Sequence, residues 1–377
     1  MIYLDYMSTT PVDPRVVDVM HQCLQSTFGN PSSQHAFGFA ARAQVENARE
    51  HIAALINANT KEIIFTSGAT ESINLALKGT ALFYQRQGKH IITLSTEHKA
   101  VLDTCRYLES IGFEITYLNP EKNGLLDLEK LKNAIRHDTI LTSILHVNNE
   151  TGVMQDIVAI GKLLREKGVW FHVDAAQSVG KINIDLKNLP VDLMSFTAHK
   201  IYGPKGIGAL FVRRNPRVQL IKQMQGGDQE NALRSGTLPT HQIVGMGMAC
   251  DLARQTLNIE EKRIAALRDQ FEKNISMLPG ININGDKKNR VCGCSNFSVD
   301  GVDAQELLKS LNDVAISQGS ACNAVDPEPS HVLTAMGLSR DQANRSFRVS
   351  VGRFTTSADI EVSSRRIVEA INLWRRA

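Results

Sequence analysis

The sequence predicts an α/β protein with a mostly parallel sheet flanked by helices, followed by a smaller α+β domain. Three observations predict it. The 377 residues are 42% hydrophobic and 21% charged, the balance of an ordinary globular chain rather than a disordered or collagenous one. Through the first two thirds, short apolar strands alternate with polar turns and amphipathic helices, the rhythm of a parallel sheet covered on both faces. After Gly247 the pattern changes to longer charged helices and isolated strands. A length prior of roughly 150 residues per domain allows two or three domains.

The elements follow in order. Ile63–Phe65 reads as a strand, then a small-residue turn and a helix; His90–Leu94 repeats this, with a helix after Glu97. Further strands end near Val147, Val173 and Phe196, the last followed by a Gly/Pro turn and another strand. Beyond Gly247 come the charged helical stretch IEEKRIAALRDQFEKNISML, a strand-like CGCSNFSV and a helix from Asp303. A small-residue loop at 319–324 and a final helix in SADIEVSSRRIVEAINLWRRA complete the chain.

Composition also sets exclusions. No apolar run approaches the roughly 20 residues of a membrane span. MIYLDYMSTTP lacks the basic-then-apolar pattern of a signal peptide. Lys plus Arg number 42 against 39 Asp plus Glu, a net charge of +3, and no basic stripe suggests direct contact with nucleic acid. The 6 cysteines are too few for a disulfide scaffold, so free thiols in a reducing cytoplasm are expected. Cys23, Cys105 and Cys250 fall on helical stretches and read as packing residues. Cys292 and Cys294 lack further ligands nearby, no His pair has zincin spacing, and no metal is expected. Gly245-Met246-Gly247 lacks the third glycine of a dinucleotide fingerprint and reads as helix packing.

The polar residues just past the strands carry the chemistry. They are Ser67-Gly68-Ala69-Thr70, Glu97-His98, Asn148-Asn149-Glu150, Asp174 with Gln177, and Thr197-Ala198-His199-Lys200. Caps and turns account for many such residues singly; together they mark a pocket at one sheet edge. Ser67–Thr70 opens a helix whose free N–H groups suit a phosphate, or a simple N-cap helped by Glu71. Asp174 ends an apolar strand and needs a partner, either a protonated heterocyclic nitrogen or a structural salt bridge. Lys200, in a turn rich in glycine, is either a surface lysine or an amine able to form a Schiff base. An Asp and a Lys on adjacent strand ends, with a phosphate nest, are what pyridoxal phosphate requires. Cys322 sits among small and polar residues in SQGSACNAVDPEP, as an accessible nucleophile or an inconsequential thiol. Arg348 and Arg353 compete as clamps for a carboxylate.

With these residues in place, the chain resembles the cysteine desulfurases of the fold-type I, class V aminotransferase group. The likeness runs from LDYMSTTPVDP through GNPSSQH, TSGATES, TEHKAVL, HVNNETG, HVDAAQSVGK, SFTAHKIYGPKGIG, RSGTLP and GSACNA to RVSVGRFTT. It implies a large cofactor-binding domain over 15–255 and a small domain over 1–14 and 256–377 that carries Cys322. It implies that Lys200 holds pyridoxal 5′-phosphate, that Asp174 pairs with the ring nitrogen and that Gln177 bonds the ring hydroxyl. His98 would stack on the ring and handle protons, and Ala69, Thr70, Thr197 and His199 would bind the phosphate. Thr237 would reach that phosphate from the other subunit of a homodimer. Asn149 and Arg348 would hold the carboxylate of L-cysteine, with Cys322 as sulfur acceptor. A persulfide there would pass to an acceptor protein serving iron–sulfur cluster assembly, tRNA thiolation or DNA sulfur modification.

The chain departs from the family in GGDQENALRSGT, at Asp228, Asn231 and Ala232, and at Met7 and Thr197. The housekeeping enzymes also continue past the position of Ala377 with a tail that docks a cluster scaffold. Two other readings are a selenocysteine lyase or related class V lyase, and a silent relay subunit. The intact GSAC loop argues against the first. Lys200, Asp174, His98 and Cys322 together argue against the second.

Overall fold

The computed structural model describes residues 1–318 and 329–376. Its strands are β1 (Ile2–Tyr3), β2 (Ile63–Thr66), β3 (His90–Leu94), β4 (Glu114–Leu118), β5 (Thr139–Leu145) and β6 (Trp170–Asp174). They continue with β7 (Leu193–Thr197), β8 (Gly208–Val212), β9 (Ile281–Ile283), β10 (Cys294–Val299), β11 (Val314–Ala315) and β12 (Ser346–Ser350). The helices are α1 (Pro14–Ser26), α2 (Ala36–Leu55), α3 (Ala69–Tyr84), α4 (Lys99–Ser110), α5 (Leu128–Ala134) and α6 (Ile157–Glu166). After these come α7 (Thr240–Ile275), α8 (Ala304–Ser310), α9 (His331–Ala335), α10 (Arg340–Asn344) and α11 (Ser357–Trp374).

The main sheet has seven strands in the order β2-β8-β7-β6-β5-β3-β4. The pairs β3–β4, β3–β5, β5–β6 and β6–β7 are parallel. β8 alone runs against its neighbours β2 and β7. The Gly/Pro turn between β7 and β8 has no room for the crossover helix that parallel pairing needs. The carboxyl ends of the parallel strands therefore share one edge.

Alternation along each strand serves two helical layers. Ile63 and Phe65 face a cluster with Val16, Ile52, Ile160 and Met246, so α1, α2, α6 and α7 cover that side. Ile64, Ile91 and Leu141 face Ile73, Leu77, Val101 and Leu108 from α3 and α4. With both faces covered, β2, β3, β5 and β7 are buried throughout, which explains their unbroken apolar reading.

Leu4, Ile264, Phe271, Phe297, Phe347, Ile360 and Ile367 form a separate core. There β12-β10-β9 make an antiparallel sheet, and β1 pairs with β11. The N-terminal segment joins this side through a bridge from Asp5 to Ser350. The change of pattern expected after Gly247 is not a break in the chain's course. α7 runs unbroken from Thr240 to Ile275, contributing Met246 to one core and Phe271 to the other. A Cβ on Gly247 would lie 2.6 Å from Ala48, so this glycine lets α2 and α7 touch, as the packing reading expects. Among the described residues no helix is long and apolar enough to cross a membrane.

Candidate active site

A cavity of about 570 Å³ opens at the carboxyl edge of the main sheet. Its lining includes Ala69, Thr70, His98, Asn149, Asp174, Gln177, Thr197, His199, Lys200 and Arg348. The position of most follows from the strand just before them; Arg348 lies within β12.

β2 delivers the start of α3. Gly68 at its N-cap has φ +156° and no side-chain cap, so the N–H groups of Ala69 and Thr70 face the cavity uncovered. A Cβ on Gly208 would sit 2.6 Å from Gly68 Cα, so Gly208 lets α3 begin this close to the sheet, while Gly68 is set by its φ, which L side chains rarely adopt. Glu71 does help this turn: its carboxylate accepts the Ser67 N–H at 2.6 Å and pairs with Arg234 at 2.9 Å.

β3 leads to His98, which caps α4 by accepting the Ala100 N–H at Nδ1. β5 ends at Leu145, two residues before the expected Val147, which makes only an isolated bridge to Met154. Within the polar clusters some side chains turn inward. Glu97 accepts the Leu145 N–H at 2.7 Å while its other oxygen is buried with no partner among the described residues; burial drives its pKa well up. Asn148 accepts the N–H groups of Glu150 and Thr151 and shapes the turn that exposes Asn149.

β6 presents Asp174, 7% exposed. Its described hydrogen bond comes from the Ala176 N–H to Oδ1 at 2.9 Å. Burial raises its pKa, and His98 and Lys200 oppose that rise. Gln177 donates from Nε2 to the Met7 carbonyl at 2.8 Å. β7 leads to Thr197, His199 and Lys200. Thr197 donates to the Ile207 carbonyl at 3.1 Å, and His199 Nδ1 meets the Thr9 hydroxyl at 3.1 Å. Burial and nearby lysines lower His199 to about 4, so the ring is neutral at physiological pH. Lys200 Nζ lies 2.6 Å from both the Met7 and the Ser8 carbonyls. Burial and the cations Lys181 and Arg348 bring it down to about 7.

The two arginines are placed differently. Arg348 lies in the middle of β12, not ahead of a strand, and lines the cavity. It donates to Asp5 at 2.8 Å, Ser8 Oγ at 2.6 Å and the Asn149 carbonyl at 2.6 Å. Arg353 instead pairs with Asp13 and Glu260 and stacks 4.2 Å over Tyr202. Cys322 lies outside the described residues. Thr237 is exposed and does not line this chain's cavity.

Residues 2–362 match the family described as aminotransferase class-V. The chain is 53% identical over 377 residues to "Cysteine desulfurase IscS" of Shewanella denitrificans, covering 99% of this chain and 93% of that one. This chain belongs to the class-V aminotransferase family, among its cysteine desulfurases. A solved structure named a NifS-like protein superposes with a TM-score of 0.93 at 34% identity, covering 99% of each chain. Another, titled SspA in complex with cysteine, gives a TM-score of 0.85 at 41% identity, covering 94% of this chain and 100% of that one.

Several residues of this class-V site escaped the sequence reading. Met7, Ser8 and Asp5 come from the N-terminal segment and supply acceptors to Lys200 and Arg348. Ser330 donates to the buried carboxylate of Glu150, and His331 donates to the Glu97 carbonyl at 3.0 Å. Their partners are 180 residues or more away, which no local pattern reveals. Lys181 stood in plain view in HVDAAQSVGK but had no spacing signal of its own.

Proposed function

We propose that this cysteine desulfurase works in the cavity at the sheet edge, with pyridoxal 5′-phosphate as cofactor and Cys322 as sulfur acceptor. The observation that carries the reading is the joint placement of Lys200, Asp174 and the uncapped α3 N-terminus around one cavity. The residues fit the cofactor. Lys200 is an amine near neutrality, ready to bind an aldehyde. Asp174 is a buried carboxylate with space beside it, suited to a protonated ring nitrogen. The Ala69 and Thr70 N–H groups, with the Thr70, Thr197 and His199 side chains, suit the phosphate.

When bound, the cofactor supplies an electron sink for bond breaking at the substrate α-carbon. The rest falls to the chain. Asp174 keeps the ring nitrogen protonated, and Gln177 bonds the ring hydroxyl. His98 covers the ring face and handles protons. Asn149 and Arg348 orient the carboxylate of L-cysteine. The Cys322 thiolate takes the substrate sulfur: the carbon–sulfur bond breaks, a sulfur–sulfur bond forms, and alanine is released. The balance is L-cysteine plus a thiol giving alanine plus a persulfide. The described residues on either side of the segment 319–328 lie beside the cavity, which supports the reading. Ser317 exchanges backbone bonds with Arg348, and Ser330 and His331 bond to Glu150 and Glu97 beside the cavity.

The persulfide then passes to an acceptor protein, in the cytoplasm where thiols stay reduced. A homodimer completes the site, with Thr237 of one subunit reaching the phosphate of the other. Its exposed aromatic surface supports this: Phe28 and Phe37 stack 5.3 Å apart and, like Phe39, are open to solvent. Peptide mass spectrometry after one equivalent of L-cysteine, without reductant, tests the assignment. Cys322 should gain one sulfur; a sulfur found on another cysteine overturns it.

A further inference from the structure

Lys181 has no part in the reading above, yet it lies against the same residues. Its Nζ donates to Gln177 Oε1 at 2.8 Å and lies 3.8 Å from Met7 Sδ. Gln177 Nε2 donates to the Met7 carbonyl, which also receives Lys200 Nζ. Lys181, Gln177, Met7 and Lys200 thus form one connected chain of polar contacts. An amide oxygen held by an ammonium cannot flip without losing a charge-assisted bond. Gln177 is therefore fixed with Nε2 toward the Met7 carbonyl that Lys200 also donates to.

The second consequence is electrostatic. Two lysines abut Met7, and Arg348 from β12 adds a third cation. Facing Lys181 are Cys292 and Cys294, with Glu260 and Glu261 of α7 lining the small cavity it shares. Asp5 and Asp174 face Lys200, and His199, neutral, stands beside it. Burial lowers Lys181 to about 8, so it keeps its proton at neutral pH while Lys200 begins to lose its own. An adjacent cation is one of the ways a lysine amine is activated.

We propose that Lys181 is a positioning residue of this pocket: it locks the Gln177 amide with Nε2 turned inward and sets a standing positive charge beside Lys200. The proposal rests on the roles given above to Gln177 and Lys200. It predicts that the Lys200–cofactor linkage titrates lower than it would without Lys181, and that charge at this position, not bulk, is what matters.

The test is a pH titration of the visible absorbance of the cofactor-loaded protein, comparing wild type with Lys181→Met, Lys181→Gln and Lys181→Arg. Removing a cation favours the protonated linkage, so Lys181→Met and Lys181→Gln should move the midpoint up by about one pH unit. Lys181→Arg should restore the wild-type midpoint. Lys181→Gln keeps a donor for Gln177 and serves if the methionine variant fails to fold. A midpoint unmoved in the neutral variants, with only thermal stability reduced, overturns the proposal. A wild-type protein showing no such band overturns the cofactor reading itself and this proposal with it.

Discussion

At Lys200 the amine lies between the Met7 and Ser8 carbonyls, beside two other cations, in a cavity that strips away water. Its pKa of about 7 sets a pH dependence. Only the neutral amine attacks an aldehyde, so the rate at which cofactor-free protein takes up pyridoxal 5′-phosphate should rise as pH increases through about 7, then level off. Stopped-flow absorbance measures this; a rate flat from pH 6 to 9 contradicts it. Asp174→Ala should retain the fold yet lose activity by roughly a hundredfold or more, because it removes the buried carboxylate proposed to hold the ring nitrogen protonated. Steady-state alanine production reads that loss. Lys200 and Asp174 were legible in the sequence because their residue types are chemically demanding at a strand end. The acceptors that tune them were not legible, because Met7 and Ser8 act through backbone carbonyls.

Among the elements, the segment that departs from the family pattern has a structural account. Glu230, Asn231 and Ala232 all take left-handed conformations, with φ of 50°, 57° and 61°. For alanine this carries a penalty of roughly 1–2 kcal/mol that glycine escapes. Ala232→Gly should therefore raise stability by about 1 kcal/mol, offset in part by unfolded-chain entropy; denaturant titration reads it. What holds this turn is Glu230. Its carboxylate binds Arg49 at 2.8 and 2.9 Å and accepts the Phe65 N–H at 2.7 Å. The contact pins the segment leading to Thr237 onto β2. Glu230→Ala would remove the buried partner of Arg49, leaving its guanidinium only the exposed Glu46 at 3.2 Å and the Ile63 carbonyl, and should cost about 3 kcal/mol, visible as a lower thermal midpoint. The strand ends were readable from apolar runs, and all five polar clusters do gather at one edge. The antiparallel β8 and the unbroken α7 were less so, since pairing direction and helix continuity depend on what each element packs against.

Over the whole molecule, the cavity draws on residues far apart in the chain. The N-terminal segment reaches Lys200 from one side, and β12 brings Arg348 from the other core. This shared construction explains why a sequence read in order finds the sheet edge but not its opposite wall. The exposed Phe28–Phe37 pair and the placement of Thr237 away from its own cavity predict a dimer in solution. Sedimentation should give twice the chain mass of 41.6 kDa, and Phe28→Ser with Phe37→Ser should shift it toward monomer.

The central claim is that sulfur leaves L-cysteine through Lys200-held cofactor and Cys322. The most direct measurement is alanine and sulfide release from L-cysteine with dithiothreitol present, for wild type beside Cys322→Ala and Lys200→Ala. The account predicts equal amounts of alanine and sulfide from wild type and neither from the two variants. Continued turnover of cysteine by Cys322→Ala would contradict the persulfide route.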